Sequence, residues 1–79
     1  MQLTVRYFAA FREAAGTDSE AVETSAETAR ALFSECQQRH PSLQSWSASM
    51  VAINDEMAQW ESALSEGDDI LFFPPVAGG

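Results

Sequence analysis

The sequence contains one long amphipathic segment, and this segment limits the folds that a chain of 79 residues can adopt. Its apolar side chains recur with the i, i+3, i+4, i+7 spacing of one helical face: Ala29, Leu32, Phe33 and Cys36. A capping-box pattern, Thr24 with Glu27, precedes the segment. Pro41 ends it, because the residue before a proline is disfavoured in a helix. We therefore predict a helix over about residues 26–39 that must bury its apolar face against another layer.

Short strand patterns lie on both sides of this helix. They occupy residues 3–8, 20–24, 50–54, 57–60 and 69–73, and we expect residues 50–54 to form a buried strand. A short helical turn after the first strand stops at Gly16, a natural C-cap. The last strand pattern is apolar on both faces, which predicts a central place in the sheet. The element order favours an α+β fold with a mixed sheet and one long helix packed across it, a roll of the β-grasp type.

The chain ends in Gly78-Gly79, and Pro74-Pro75 lead to it. Each proline fixes φ and favours an extended path, so we expect residues 74–79 to project as a tail from a domain of residues 1–73. Glycine has no Cβ, so the tip can enter a channel too narrow for other residues. The carboxylate of Gly79 is then the functional group at the tip, and the tail is suited to presenting it to another protein.

The composition excludes several classes of function. The formal net charge is −8, from twelve acidic residues against four arginines, so we expect no nucleic-acid partner. The chain has no lysine, and it therefore cannot accept an isopeptide bond on a side chain. The single Cys36 forms no internal disulfide, and with the single His40 it cannot close a metal site. No apolar run is long enough to span a membrane, and we expect a cytoplasmic protein.

Three segments of the chain resemble a known family. They are FAAFREAAGT at residues 8–17, AIN at residues 52–54 and LSEGDDILFFPPVAGG at residues 64–79. On these segments the chain resembles the MoaD-type sulfur carriers of the ThiS/MoaD family, the small subunits of molybdopterin synthase. The most specific part of the resemblance is the ending FFPPVAGG. The resemblance implies a ubiquitin-like β-grasp fold, in agreement with the element order.

The resemblance also implies a chemistry for the tail. A MoeB-type adenylating enzyme would use ATP to activate the Gly79 carboxylate, and sulfur would then replace the AMP to leave a thiocarboxylate. The tail would enter a MoaE-type large subunit. The other tail residues of this chain are Pro74, Pro75, Val76, Ala77 and Gly78. There the sulfur would form the dithiolene of molybdopterin. The chain would bind no cofactor itself and would be the non-catalytic, sulfur-donating subunit of a heterotetramer.

The family's partner-facing apolar residues correspond to Phe8, Met57 and Phe73. Phe8 lies on the outer face of the first strand pattern, and Phe73 alternates with Phe72 just before the tail. If the three side chains cluster, they form an exposed apolar patch, which would mark an interface.

Two other functions share the Gly-Gly tip. One is a ThiS-like sulfur carrier for another thio-cofactor, and the other is a ubiquitin-like modifier that is joined to lysines of other proteins. Cys36 is expected to be packed and inert on the apolar face of the helix. His40 is expected at the end of the helix, and the sequence assigns no function to Trp46 or Trp60.

Overall fold

The computed structural model describes residues 1–45 and 50–73 of the chain. Residues 46–49 and the predicted tail over residues 74–79 lie outside the described residues, so the division between domain and tail stays a prediction. Within the described ranges the elements follow one another in this order: β1 Gln2–Tyr7, α1 Ala10–Ala15, β2 Ser19–Glu23, α2 Ala29–Arg39, a 3₁₀ turn Pro41–Ser45, β3 Met50–Ile53, β4 Glu56–Ala58 and β5 Asp69–Phe73. This order matches the predicted one.

The strands form one mixed sheet with the order β2-β1-β5-β3-β4. β5 runs parallel to β1, with Ile70 opposite Val5, and antiparallel to β3, with Phe72 opposite Val51. The predicted central place of β5 is confirmed. Its inward side chains, Ile70 and Phe72, are completely buried, as a strand with neighbours on both sides allows.

The helix α2 packs across one face of this sheet and closes the core. Its buried side chains are the four that the apolar spacing identified: Ala29, Leu32, Phe33 and Cys36. Phe33 meets Phe72 of β5 edge to face, with ring centroids 4.8 Å apart. Trp60 stacks on the same Phe72 ring at 5.9 Å. The predicted architecture, a mixed sheet crossed by one long helix, is confirmed.

The start of α2 differs from the prediction. Its N-cap is Thr28, whose Oγ1 accepts a hydrogen bond from the Ala31 backbone N–H at 3.2 Å. The Thr24 hydroxyl, which the capping-box pattern placed at the cap, accepts from the Ala26 N–H and donates to Glu35. The predicted capping box is therefore wrong, and the helix begins three residues later than expected.

Backbone groups from a distant segment explain this later start. The N–H groups of Ala29 and Arg30 donate to the carbonyls of Ser62 and Trp60, at 3.3 and 3.0 Å. In a longer helix the same N–H groups would bond to carbonyls four residues earlier. The segment before β5 thus satisfies the first N–H groups of α2 and keeps residues 24–28 out of the helix.

A two-residue turn joins β3 to β4 and replaces the end of the predicted strand 50–54. Asn54 and Asp55 have φ values of 53° and 69°, as a type I′ hairpin requires. The Asn54 side chain donates to Asp68 Oδ1 and accepts from the Asp69 N–H, both at 2.9 Å. These bonds connect the hairpin to the start of β5. Because β3 pairs with both β4 and β5, the three strands share one outer face.

Candidate functional site

The face of the sheet opposite α2 carries a set of outward apolar side chains. We call this set the open-face patch: Phe8, Met50, Ala52, Met57, Leu71 and Phe73. Side chains alternate along a strand, so these positions point away from the core that α2 closes. Three of them are the large exposed apolar side chains of the described residues, with exposures of 54% for Phe8, 48% for Met50 and 59% for Met57. Such a surface is typical of an interface.

The first row of the patch lies at the end of β5, next to the point where the tail sequence begins. Met50 of β3 lies opposite Phe73 in the sheet register. The Phe73 ring contacts the Phe8 ring, with centroids 5.7 Å apart and an interplanar angle of 57°. Two of the three residues predicted to face a partner are therefore in contact, and Met50 extends their row across β3.

The second row lies two residues earlier on β5. Leu71 lies opposite Ala52 of β3, and Ala52 lies opposite Met57 of β4. Residues two apart on a strand share a face, so Leu71 joins this row to Phe73. Met57 thus shares the face of Phe8 and Phe73 but lies in a different row. The assignment of these three residues to a partner interface stays a prediction.

Met50 and Leu71 are patch residues that the sequence did not identify. The interpretation of residues 50–54 as a buried strand is wrong for Met50, which is half exposed at the start of β3. Both residues alternate with buried neighbours, Val51 and Phe72. That alternation was visible in the sequence, but assigning the two residues to one patch requires the register of β3 against β5.

A strained turn after β1 places Phe8 on the open face. The Phe11 N–H donates to the Phe8 carbonyl at 3.1 Å, and Ala9 between them has φ 53° and ψ −122°. These angles belong to the first central position of a type II′ turn, where glycine is strongly preferred. The turn directs Phe11 into the core, where it is completely buried, and leaves Phe8 exposed. An alanine in this conformation costs about 1–3 kcal/mol.

Every arginine in the chain pairs with a carboxylate. The pairs are Arg6–Asp69 at 2.8 Å, Arg12–Asp18 at 3.4 Å, Arg30–Glu61 at 2.6 Å and Arg39–Glu20 at 3.4 Å. Four of the twelve acidic residues are balanced in this way, and the other eight account for the net charge of −8. Exposed pairs add little stability.

A partly buried polar cluster lies on the inner side of β1, directly before Phe8 in the sequence. The Tyr7 hydroxyl donates to Glu20 Oε2 at 2.5 Å, and His40 Nε2 lies 2.8 Å from the same oxygen. Partial burial favours the neutral carboxyl of Glu20. The hydrogen bonds from Tyr7 and His40 and the nearby charges of His40 and Arg39 outweigh it, so the pKa of Glu20 is lowered. Burial, with the bonds to Cys36 and Glu20, raises the pKa of the Tyr7 phenol.

The structure also places the other residues to which the sequence assigned no function. His40 is the C-cap of α2, as expected, and its ring meets Tyr7 edge to face at 5.8 Å. Cys36 is buried on the inner face of α2, as expected, and burial raises the pKa of its thiol. Trp60 packs against the core, whereas Trp46 lies outside the described residues.

In residues 1–45 and 50–73, no three His, Cys, Asp or Glu side chains form a group that could hold a metal ion. No helix in those ranges has the length and apolar character needed to cross a membrane.

The fold defines the class of protein. A mixed five-stranded sheet crossed by one long helix is the ubiquitin-like β-grasp, and solved β-grasp structures match it. The chain belongs to the ThiS family, whose model matches residues 5–79.

Curated relatives match the chain over nearly its full length. It is 37% identical to the molybdopterin synthase sulfur carrier subunit of Haemophilus influenzae, over 98% of this chain and 99% of the relative. It is 33% identical to the protein of the same name from Escherichia coli, again over 98% of this chain and 99% of the relative.

Solved structures match the fold. The small archaeal modifier protein 1 of Haloferax volcanii gives a TM-score of 0.83 at 26% identity, over 95% of this chain and 98% of that one. A structure of the complex of subunits 1 and 2 of molybdopterin-converting factor from Helicobacter pylori gives 0.68 at 26% identity, over 100% of both chains. Both likenesses support the β-grasp assignment.

Replacement of Ala9 by glycine should stabilise the protein. Glycine adopts the angles of Ala9 without strain, although it gives the unfolded chain more conformational entropy. We therefore expect Ala9→Gly to raise the free energy of unfolding by about 0.5–1 kcal/mol, measured by urea denaturation. The matched control is Ala10→Gly in the first turn of α1, which should lower the same free energy by about 0.5 kcal/mol. Equal losses of stability in both variants would contradict the strained turn.

Acid should weaken the cluster around Glu20. Because the pKa of Glu20 is lower in the folded than in the unfolded chain, its charge stabilises the fold above the ordinary value of 4.5. This contribution is lost as the pH falls through the lowered folded value. We expect the thermal midpoint of the Glu20→Gln variant to fall less than that of the wild type between about pH 5 and pH 3.

The control for this pH series is Glu27→Gln, at an exposed position outside the cluster. We expect its thermal midpoint to follow the wild-type profile. If Glu20→Gln followed that profile as closely, the carboxylate would contribute nothing to stability through its charge.

Proposed function

We propose that this chain is the sulfur carrier subunit of a molybdopterin synthase. The observation that carries the proposal is its similarity to four curated relatives of that name, at 33–37% identity and over nearly the full length of each. The open-face patch supports the proposal, because a carrier must dock on the protein that takes its cargo and the patch is an exposed apolar surface.

The cargo is carried on the carboxylate of Gly79. A carboxylate is a poor electrophile, so a MoeB-type adenylating enzyme uses ATP to convert it into an acyl adenylate and releases pyrophosphate. Sulfur then replaces the AMP and leaves a thiocarboxylate. This group is anionic at neutral pH and nucleophilic, as a thiolate is. The chain itself supplies the sulfur and binds no cofactor, while the large subunit supplies the substrate-binding groups.

The docking surface for the MoaE-type large subunit is the open-face patch. Its first row, with Phe8 in contact with Phe73, lies at the end of β5, and the tail sequence continues from Phe73. Docking there holds the start of the tail at a fixed place on the partner, which replaces a bimolecular encounter of the sulfur by a positioned one. The similarity of the chain to the complex of subunits 1 and 2 of molybdopterin-converting factor from Helicobacter pylori supports a partner of this kind. Two carriers and two large subunits complete the heterotetramer.

A second candidate function is that of a protein modifier. The likeness to the small archaeal modifier protein of Haloferax volcanii favours it. The absence of lysine is compatible with both functions, since a chain without lysine acts as the donor and accepts no isopeptide bond on a side chain. Detection of this chain joined to lysines of other proteins in a cell extract would support the modifier function.

Activation of the carboxylate should change the mass of the chain in a defined way. We expect incubation with a MoeB-type enzyme, ATP and sulfide to give a mass gain equal to the replacement of one oxygen atom by sulfur, measured on the intact chain. Deletion of Gly79 should abolish the gain while leaving the circular dichroism spectrum unchanged, because the last strand of the described residues ends at Phe73, six residues earlier in the sequence.

Two further outcomes distinguish the alternatives. No mass gain, with an enzyme preparation that converts an established carrier, would overturn the sulfur-carrier function. A thiocarboxylate that forms but yields no dithiolene with the large subunit and cyclic pyranopterin monophosphate would point to a ThiS-like carrier for another thio-cofactor.

A further inference from the structure

Two methionine thioethers lie on the open-face patch. Met50 of β3 lies opposite Phe73, and Met57 of β4 lies opposite Ala52. Both side chains are about half exposed, and with Phe8 they are the large exposed apolar side chains of the described residues. The apolar surface proposed for the partner is therefore to a large extent a surface of thioether groups.

The other two sulfur atoms of the chain are shielded. Met1 is partly buried and packs against the core, and its ammonium group is hydrogen-bonded to the Thr24 carbonyl at 2.7 Å. Cys36 is 1% exposed on the inner face of α2. Reaction with a solute oxidant requires access to the sulfur. An oxidant in solution therefore reaches Met50 and Met57 before it reaches Met1 or Cys36.

We propose that Met50 and Met57 are reversible oxidation sites whose conversion to sulfoxide keeps the free carrier from docking on its large subunit. This inference rests on the proposed function, because it takes the open-face patch as the docking surface. The oxidant is a hydroperoxide, and the enzyme that reverses the reaction is a methionine sulfoxide reductase.

The chemistry balances without any further group of the protein. The sulfur lone pair attacks one oxygen of the hydroperoxide, the O–O bond breaks, and one oxygen atom stays on sulfur while the other leaves as water or alcohol. The sulfur is oxidised by two electrons and the hydroperoxide is reduced by two. In the reverse direction two thiols are oxidised to a disulfide, and the oxygen leaves as water.

The positions of Met50 and Met57 explain why sulfoxide formation would weaken association with the partner. A sulfoxide oxygen is a strong hydrogen-bond acceptor, and the residues of the patch that face Met50 and Met57 across the strands, Phe73 and Ala52, are apolar. A docked partner would remove water from that oxygen, and the apolar side chains of these cross-strand neighbours offer no donor in place of the water, which is unfavourable. We expect each sulfoxide to weaken association by about tenfold or more.

The proposed cycle exposes these sites repeatedly. A carrier that is recharged by one protein and discharged on another must leave its partner in every round. During that interval Met50 and Met57 have the exposure seen in the isolated chain. Oxidation would then hold the carrier in the free state until it is reduced.

The experiment uses the chain in its carboxylate form, so that the oxidant does not consume a thiocarboxylate. The chain is treated with graded hydrogen peroxide, the modified residues are identified by peptide mass mapping, and the affinity for the MoaE-type large subunit is measured by calorimetry. We expect oxygen on Met50 and Met57 before Met1 and Cys36, a loss of affinity of about tenfold or more, and recovery after treatment with the reductase.

The matched control is the double variant Met50→Leu, Met57→Leu, which keeps the apolar volume of the patch and removes its thioethers. Each protein is compared with its own untreated form, and we expect the affinity of the double variant to be the same before and after peroxide. An equal loss of affinity in the double variant, unchanged affinity of the oxidised wild type, or earlier oxidation of Met1 or Cys36 would overturn the proposal. If the untreated wild type does not bind the large subunit, that result overturns the proposed docking function. The proposed control by oxidation is then overturned as well.

Discussion

The last strand, β5, lies at the centre of the sheet, and both faces of the protein depend on it. Its inward side chains, Ile70 and Phe72, are completely buried beneath α2, and burial of each contributes about 1.5–3 kcal/mol. Its outward side chains contribute one residue to each row of the open-face patch, Phe73 to the first row and Leu71 to the second. Because β5 bonds to β1 on one side and β3 on the other, the residue from which the tail continues is held by the middle of the sheet and not by its edge. The same strand therefore stabilises the core and fixes the position of Phe73, the last described residue before the sequence predicted to form the tail.

The two faces of the molecule have different physical characters. The inner face is closed by α2 and held at one end by the hydrogen bonds of Tyr7 and His40 to Glu20. The outer face exposes aromatic and thioether groups, and the strained turn at Ala9 keeps Phe8 there when the chain direction reverses. A strained residue is retained where the surrounding structure determines it, and such residues are concentrated at functional sites. The strained turn brings Phe8 against Phe73, and this contact lies on the proposed docking surface.

Local patterns in the sequence predicted much of this structure. The apolar spacing identified the buried residues of α2, the two apolar faces of residues 69–73 placed β5 at the centre, and Gly16 ends α1 in the left-handed conformation expected of a C-cap. The start of α2 was not predictable in this way, because its first N–H groups bond to carbonyls some 30 residues away along the chain. The extent of the patch was also not predictable from local sequence patterns. Met50 joins Phe73 only through the register of two strands, and a one-residue shift would turn Met50 inward.

Docking of the large subunit on the open-face patch can be tested by titrating the isotopically labelled chain with a MoaE-type large subunit and following amide and methyl chemical shifts. If the proposal is correct, the largest changes fall on Met50, Met57, Leu71 and Phe73, while the exposed side of α2, represented by Ser34, keeps its shifts. Changes concentrated on α2, with the patch unaffected, would overturn the proposal and place the partner on the opposite face of the molecule.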